Sequence, residues 1–286
     1  MTIPARVTGI VAARAPVCVL FRRGPSKQVL QLLWHLKDDR IEAGQWLKHR
    51  VYDDRSGLSP DGKHLIYFAG HHGPDAVTGG TYVAISKPPY FTAQMLFPVG
   101  HTWSGYCGFV DDRRYWLDTT GPGEVKGGPY GQIKGLQRVP VPVSSPGTAS
   151  PGGWREVARE VSDDHRWART WRISLEAEVA RGWVLCRALT HSVTERGPNG
   201  EISWMRHSLR GPEDEMPLNT GWADVWRGEV LFADAGRVLR MKPGAPAREV
   251  ADLNPMTFRT KPAPYPGLSR RGNAKVRDWH PLDEDW

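Results

Sequence analysis

An all-β protein built from a repeated strand unit is the fold the sequence predicts, and three observations predict it. Short apolar runs recur along the chain: "VCVLF" (17–21), "VLQLLW" (29–34), "LIYFA" (65–69), "YVAI" (82–85), "WVLC" (183–186) and "VLFA" (230–233). They are rich in β-branched and aromatic residues and bounded by turn formers, as suits strands covered on both faces. Gly (31) and Pro (24) are frequent enough for many tight turns, while helix-like spacing occurs only in the short "REVAREV" (155–161). The third observation is a turn placed directly before a strand, five times over.

The copies run in chain order. "AARAPVCVLF" turns near Arg14. "SGLSPDGKHLIYFAG" turns at Asp61-Gly62, and "FVDDRRYWLD" at Asp111-Asp112 before Tyr115, Trp116 and Leu117. "VSDDHRWART" turns at Asp163-Asp164 and leads into "RISLEAEVA", where Ile173, Leu175, Ala177 and Val179 alternate as a strand requires. "VWRGEVLFAD" turns at Arg227-Gly228. Anchors at 14, 62, 112, 164 and 228 are spaced by 48, 50, 52 and 64 residues. Each interval holds four short strands and their loops, the period of a radial repeat. A lone four-stranded unit cannot bury both faces, so it stacks on neighbours. The expectation is a single β-propeller over residues 1–286 with five four-stranded blades. Six is the alternative, because "GLSRRG" (267–272) echoes "GLSPDG" (57–62). With five blades, residues 253–286 are left as a closing strand or a C-terminal tail. "PVPVSSPGTASPGG" (140–153) reads as a long loop between blades three and four, and "GPGEVKGGPYG" (121–131) as an insertion within blade three.

The stretch "LSPDGKHLIYFA" (58–69) resembles the TolB-like, WD40-like (PD40-type) propeller repeat, whose hallmark is Ser-Pro-Asp-Gly followed by an apolar strand. The likeness is close in this one copy; the others keep the turn and strand without the Ser-Pro. It implies a propeller and no particular activity, since such repeats serve as binding scaffolds and as accessory domains of enzymes.

The net charge of +7, with Arg far in excess of Lys, favours an acidic partner: an acidic protein first, nucleic acid more weakly. No Lys/Arg block interleaved with aromatics supports a nucleic-acid groove. Arg6 and Arg14 interrupt the apolar N-terminus, and no run reaches the roughly 18 apolar residues of a membrane span, so a cytoplasmic protein is expected. Cys18, Cys107 and Cys186 lack CxxC spacing and read as reduced thiols.

Residues with chemistry are few. His71 and His72, with His64 and His101, carry imidazoles but no accompanying carboxylate or thiol set, so no metal is expected. Ser104 and Cys107 near His101 lack the strand–turn–helix setting of a nucleophile. "GPGEVKGGPYG" lacks the phosphate-loop order, and no cofactor is expected. Asp61, Asp112, Asp164 and Asp224 lie at or near repeat turns. They are the candidate carboxylates if blades converge them on a central cavity as a glycoside hydrolase requires. Asp also forms turns without further reason. Trp103, Tyr106, Arg166, Trp167, Trp171, Trp222 and Trp226 fall near predicted blade ends and are the candidate partner-binding residues, because Trp and Arg dominate binding hot spots. Packing between blades is their ordinary role. The functional expectation is a non-enzymatic propeller binding another protein, as an accessory, scaffold or inhibitor; the alternative is a hydrolase with carboxylates in its cavity.

Overall fold

A computed structural model describes residues 3–24, 28–71, 78–119, 130–142, 153–165, 168–192, 194–198 and 200–268. The described chain is all-β, with twenty strands in five sheets and no helix. Each sheet is formed by consecutive strands, the blade-type arrangement expected from the repeat. Two compact units divide the chain, Met1–Ala149 with Pro255–Trp286, and Ser150–Asn254.

The first unit holds three sheets. The first runs β1 (Arg6–Val11), β2 (Val17–Arg23), β3 (Val29–His35), β4 (Arg40–Leu47), and the second β5 (Arg50–Leu58), β6 (Leu65–Gly70), β7 (Thr81–Ser86), β8 (Met95–Pro98). The third has β9 (Cys107–Phe109), β10 (Arg114–Leu117) and the two-residue β11 (Gln137–Arg138), which pairs parallel to β10. The second unit holds a five-stranded sheet, β12 (Arg155–His165), β13 (Ala168–Ala180), β14 (Trp183–His191), β15 (Ser203–Arg210), β16 (Glu215–Leu218). Its other sheet is β17 (Ala223–Trp226), β18 (Glu229–Asp234), β19 (Arg237–Met241), β20 (Arg248–Asp252).

All five sequence anchors mark the same structural event, the turn from the first to the second strand of a sheet. Positions 14, 62, 112 and 228 lie between β1 and β2, β5 and β6, β9 and β10, β17 and β18, while 164 lies at the end of β12 before its turn into β13. The long last interval arises because β13 has 13 residues, β14 has 9, and β16 adds a fifth strand. Two sheets therefore depart from four strands: the third has three and the fourth has five.

Burial on both faces explains why strands such as "LIYFAG" are apolar throughout. In β6, Leu65, Tyr67 and Ala69 join one core cluster with Val19, Phe21 and Val29 of the first sheet. Ile66 and Phe68 join the opposite cluster with Cys107, Tyr115 and Leu117 of the third. The same alternation sorts Tyr82 and Ala84 from Val83 and Ile85 in β7.

The Ser-Pro-Asp-Gly turn is satisfied internally. Ser59 Oγ donates to Asp61 at 2.7 Å and accepts from His64 N–H at 2.9 Å, and Gly62 N–H reaches Ser59 O at 2.8 Å. Gly62 has φ +72, and a Cβ there would collide with Val17. The turn is also joined to its neighbours. Pro60 O accepts from Arg14 and Ala15 N–H, both at 3.0 Å, and Asp112 accepts from Asp61 N–H at 2.9 Å.

Residues 255–268 return to the first unit as a strandless strap, so no closing strand is present among the described residues of 253–268. Gln45 is its anchor: Nε2 donates to Lys261 O at 2.8 Å, while Oε1 accepts from Thr92 N–H and Oγ1 at 2.9 and 3.0 Å. Tyr265 Oη contacts Lys87 and Thr92, Leu268 N–H donates to Ala93 O, and Phe258 packs on Trp46 at 5.9 Å.

Candidate functional site

The most developed surface of the first unit arises where β5 breaks its ladder. Pairing with β6 is regular to Tyr52 and resumes at Gly57, so Asp53, Asp54, Arg55 and Ser56 leave the register. Ser56 Oγ donates to Tyr52 O at 2.8 Å within this irregularity. Gly57 allows the approach of the third sheet, since a Cβ there would lie 2.8 Å from Gly108 Cα.

Arg55 uses this freedom to fix the loop between β8 and β9. One guanidinium nitrogen donates to Thr102 O at 2.8 Å and Ser104 O at 2.9 Å. The guanidinium also lies over Tyr106 (4.7 Å), Tyr52 (5.4 Å) and Phe68 (5.7 Å). Trp103, between the two bonded carbonyls, is 79% exposed. A large indole is thus held in water on a fixed loop. Arg50 also lies over Tyr52, at 4.6 Å. Burial lowers the pKa of Arg23, and the nearby charges of Arg50 and Arg6 add to the effect while Asp53 opposes it. Three guanidiniums therefore share one neighbourhood.

Crowding by the surrounding chain and the charge of Asp53 push the Asp54 carboxyl up, with Arg55 and Arg50 opposing, but the residue is exposed and water screens most of that rise. Beside this cluster, His49 is pushed down to about 3 by burial and by His71, whose ring lies 4.5 Å away; its Nδ1 meets Tyr82 Oη at 3.0 Å.

The proposed binding residues divide between the units. Trp103 and Tyr106 share the Arg55 site. Trp171, in the second unit, stacks on His191 at 5.2 Å. Trp222 is 5% exposed and serves packing. Trp226 has the guanidiniums of Arg227 (5.2 Å) and Arg240 (5.0 Å) over its ring, in an open groove of about 670 Å³ also lined by Trp183, Arg181 and Lys242. Arg166 and Trp167 lie outside the described residues, as do His72 and most of the 121–131 insertion.

The candidate carboxylates have other engagements. Burial raises the pKa of Asp61, but hydrogen bonds from Ser59 and Lys63 outweigh it and hold the carboxylate below its usual range. Asp112 receives Asp61 N–H and pairs with Arg14 at the rim of a cleft of about 690 Å³, also lined by Pro60 and Gln137. Asp224 is buried in the second unit, where it accepts from Trp154 Nε1 at 3.0 Å and Val225 N–H at 2.9 Å. Burial raises its pKa while the Arg187 guanidinium, stacked on Trp154 at 3.8 Å, opposes the rise. Asp164 is described in backbone only.

The Cys107 thiol donates to Arg55 O at 2.9 Å and is pushed far up by burial, so it is no thiolate nucleophile. Cys18 is buried as well and Cys186 half-buried, and none of the three forms a disulfide. Among the described residues no three His, Cys, Asp or Glu side chains gather as metal ligands. Among the described residues no helix is long and apolar enough to cross a membrane.

Sequence reasoning passed over "RVYDDR" (50–55), since it attended to turn aspartates. A usable signal was there: two consecutive carboxylates inside a strand-like segment mark a place where pairing must break.

No protein-family model matches the chain, and no curated protein sequence matches it significantly.

Proposed function

We propose that this is a non-enzymatic, TolB-like propeller module of the cytoplasm that binds an acidic protein through the Trp103 face. The observation that carries the reading is Trp103 itself, 79% exposed on a loop that Arg55 fixes at Thr102 and Ser104. With the backbone on both sides of Trp103 already fixed, docking costs less loop entropy, and Trp and Arg anchors dominate interface energetics. Arg50, Arg23 and Arg6 around the site favour a partner of negative charge. The structural engagement of Asp61, Asp112 and Asp224 further supports binding over hydrolysis. A second reading, glycoside hydrolysis, keeps one foothold: Asp53 and Asp54 are consecutive carboxyls where β5 leaves its register with β6.

The test is capture from a lysate of the source cells on immobilised wild type and Trp103→Ala, under high salt and nuclease. The expected result is a stoichiometric partner held by the wild type and lost by the variant. Identical capture by both proteins, or none after the controls, refutes the reading. Glycan cleavage that disappears in Asp54→Asn would establish the second reading in its place.

A further inference from the structure

The second unit carries an edge that the Trp103 reading does not use. β12 is an end strand of its sheet and pairs, among the described residues, only with β13. Every residue from 155 to 162 is exposed, and the strand leaves Val157 (43%) and Val161 (56%) in water. Such an edge is a template for another strand unless charge or irregularity protects it. β12 has an irregularity between Glu156 and Ala158, and it has charges, Arg155, Glu156, Arg159 and Glu160.

The order of those charges decides what they protect against. Laid antiparallel on a second copy of itself, with a two-fold axis between Val157 and Ala158, "REVARE" sets Arg155 opposite Glu160 and Glu156 opposite Arg159. Val157 then faces Ala158. The two-fold repeats each match, giving four oppositely charged pairs. A slip of one residue in either direction sets Arg155 against Arg159 or Glu156 against Glu160, and it turns each side chain to the wrong face. The sequence therefore rejects near registers and accepts one. Within a single chain Arg159 already chelates Glu156, at 2.7 and 2.6 Å, so the two ion pairs would meet across the axis as an alternating cluster. The extra residue at Val157 puts Glu156 on the same face as Arg159 and Arg155 on that of Glu160, as this register requires and as an unbroken strand would not.

We propose that β12 is a self-association edge through which two copies of this chain pair antiparallel as a symmetric dimer. The interface is isologous, and β16 at the far edge of the sheet has a different sequence, so pairing closes at two copies instead of extending into a fibre.

The experiment is sedimentation velocity on the full chain over a concentration series reaching the order of 100 µM. Two paired variants accompany it: Arg155→Glu with Arg159→Glu, and Glu156→Arg with Glu160→Arg. The wild type should dimerise. Each variant alone should weaken association roughly 10- to 1,000-fold. Their equimolar mixture should regain a dimer, because an all-acidic strand then meets an all-basic one. Circular dichroism checks that both variants fold. Hydrogen exchange on the wild type is independent of them, and the amides of 155–160 should slow as concentration rises. A wild type that stays monomeric overturns the proposal. So do variants that still dimerise, a mixture that stays monomeric, and β12 amides indifferent to concentration.

Discussion

Acid should destabilise the second unit through His207, and the size of the effect follows from its surroundings. His207 is buried in β15, and its Nε2 accepts from Arg187 Nε at 3.0 Å, which fixes the proton on Nδ1, facing Thr220 O at 3.4 Å. Protonation would place a second cation against Arg187. Burial, then that charge, depresses the imidazole from 6.5 to about 3, with the Thr220 bond opposing. The unfolded chain thus binds a proton that the folded chain refuses, and stability falls as pH drops below about 6.5. The slope approaches about 1.4 kcal/mol per pH unit, which amounts to about 2 kcal/mol lost between pH 7.5 and 5. Asp224, raised by burial, works in the opposite sense at the acid end, because the folded chain then holds the carboxyl proton more tightly. The comparison is therefore made at or above pH 5. Urea unfolding of wild type and His207→Gln at the two pH values reads the difference. Gln keeps an acceptor for Arg187, so the variant should lose about 1–2 kcal/mol at neutral pH yet fall about 2 kcal/mol less on acidification. His49, depressed to about 3 in the first unit, supplies a similar acid dependence that the variant leaves in place. Equal pH dependence in both proteins would refute the assignment.

Three further outcomes follow from the packing. Gly44→Ala should destabilise the protein by several kcal/mol, of the order of 3 or more, because the new methyl overlaps the Pro89 backbone; Gly221→Ala, with open space, should stay within about 0.5 kcal/mol in the same thermal melts. Ending the chain at Asn254 strips Gln45, Thr92 and Lys87 of strap partners and uncovers Trp46, so the first unit should lose about 3 kcal/mol or more, seen as an earlier urea midpoint. Arg55→Lys should fail to restore what Arg55→Ala loses, since an ammonium cannot lie flat over Tyr106 while bonding two carbonyls; faster exchange at 102–106 in both variants is the readout.

The repeat was legible because backbone geometry wrote it. Gly62 is required by its φ and by Val17, Asp61 by the N–H of Lys63, and Arg227-Gly228 by two successive positive φ values, so each hairpin left turn residues at a fixed place before an apolar strand. Two-sided burial was legible in "LIYFAG" for the same reason. Strand number was not. β16 and β11 are short and largely exposed, and what makes them strands is a neighbour's unpaired edge, which local sequence does not display. The site was half legible: Trp103 and Tyr106 stood out by type, whereas Arg55 matters through Tyr52, Phe68, Thr102, Ser104 and Tyr106, which only the fold assembles.

The location of that site follows from the burial itself. In a sheet packed on both faces, side chains in regular register have two directions available, and in β6 and β7 both are filled by core. Chemistry must then reside where register fails. In β5 it fails from Asp53 to Ser56, and those residues supply the paired carboxyls of Asp53 and Asp54 and the guanidinium of Arg55. The turn aspartates sit outside the ladder too, but their oxygens are taken by the backbone amides that make the turns, as Asp61 shows with Lys63 and Asp112 with Asp61. A carboxylate already accepting such bonds is held ionised and in place, which suits a hinge between hairpins and suits proton transfer poorly. The break in β5 is thus a position, among the described residues of the first unit, where charged side chains stand outside the ladder beside an exposed Trp103.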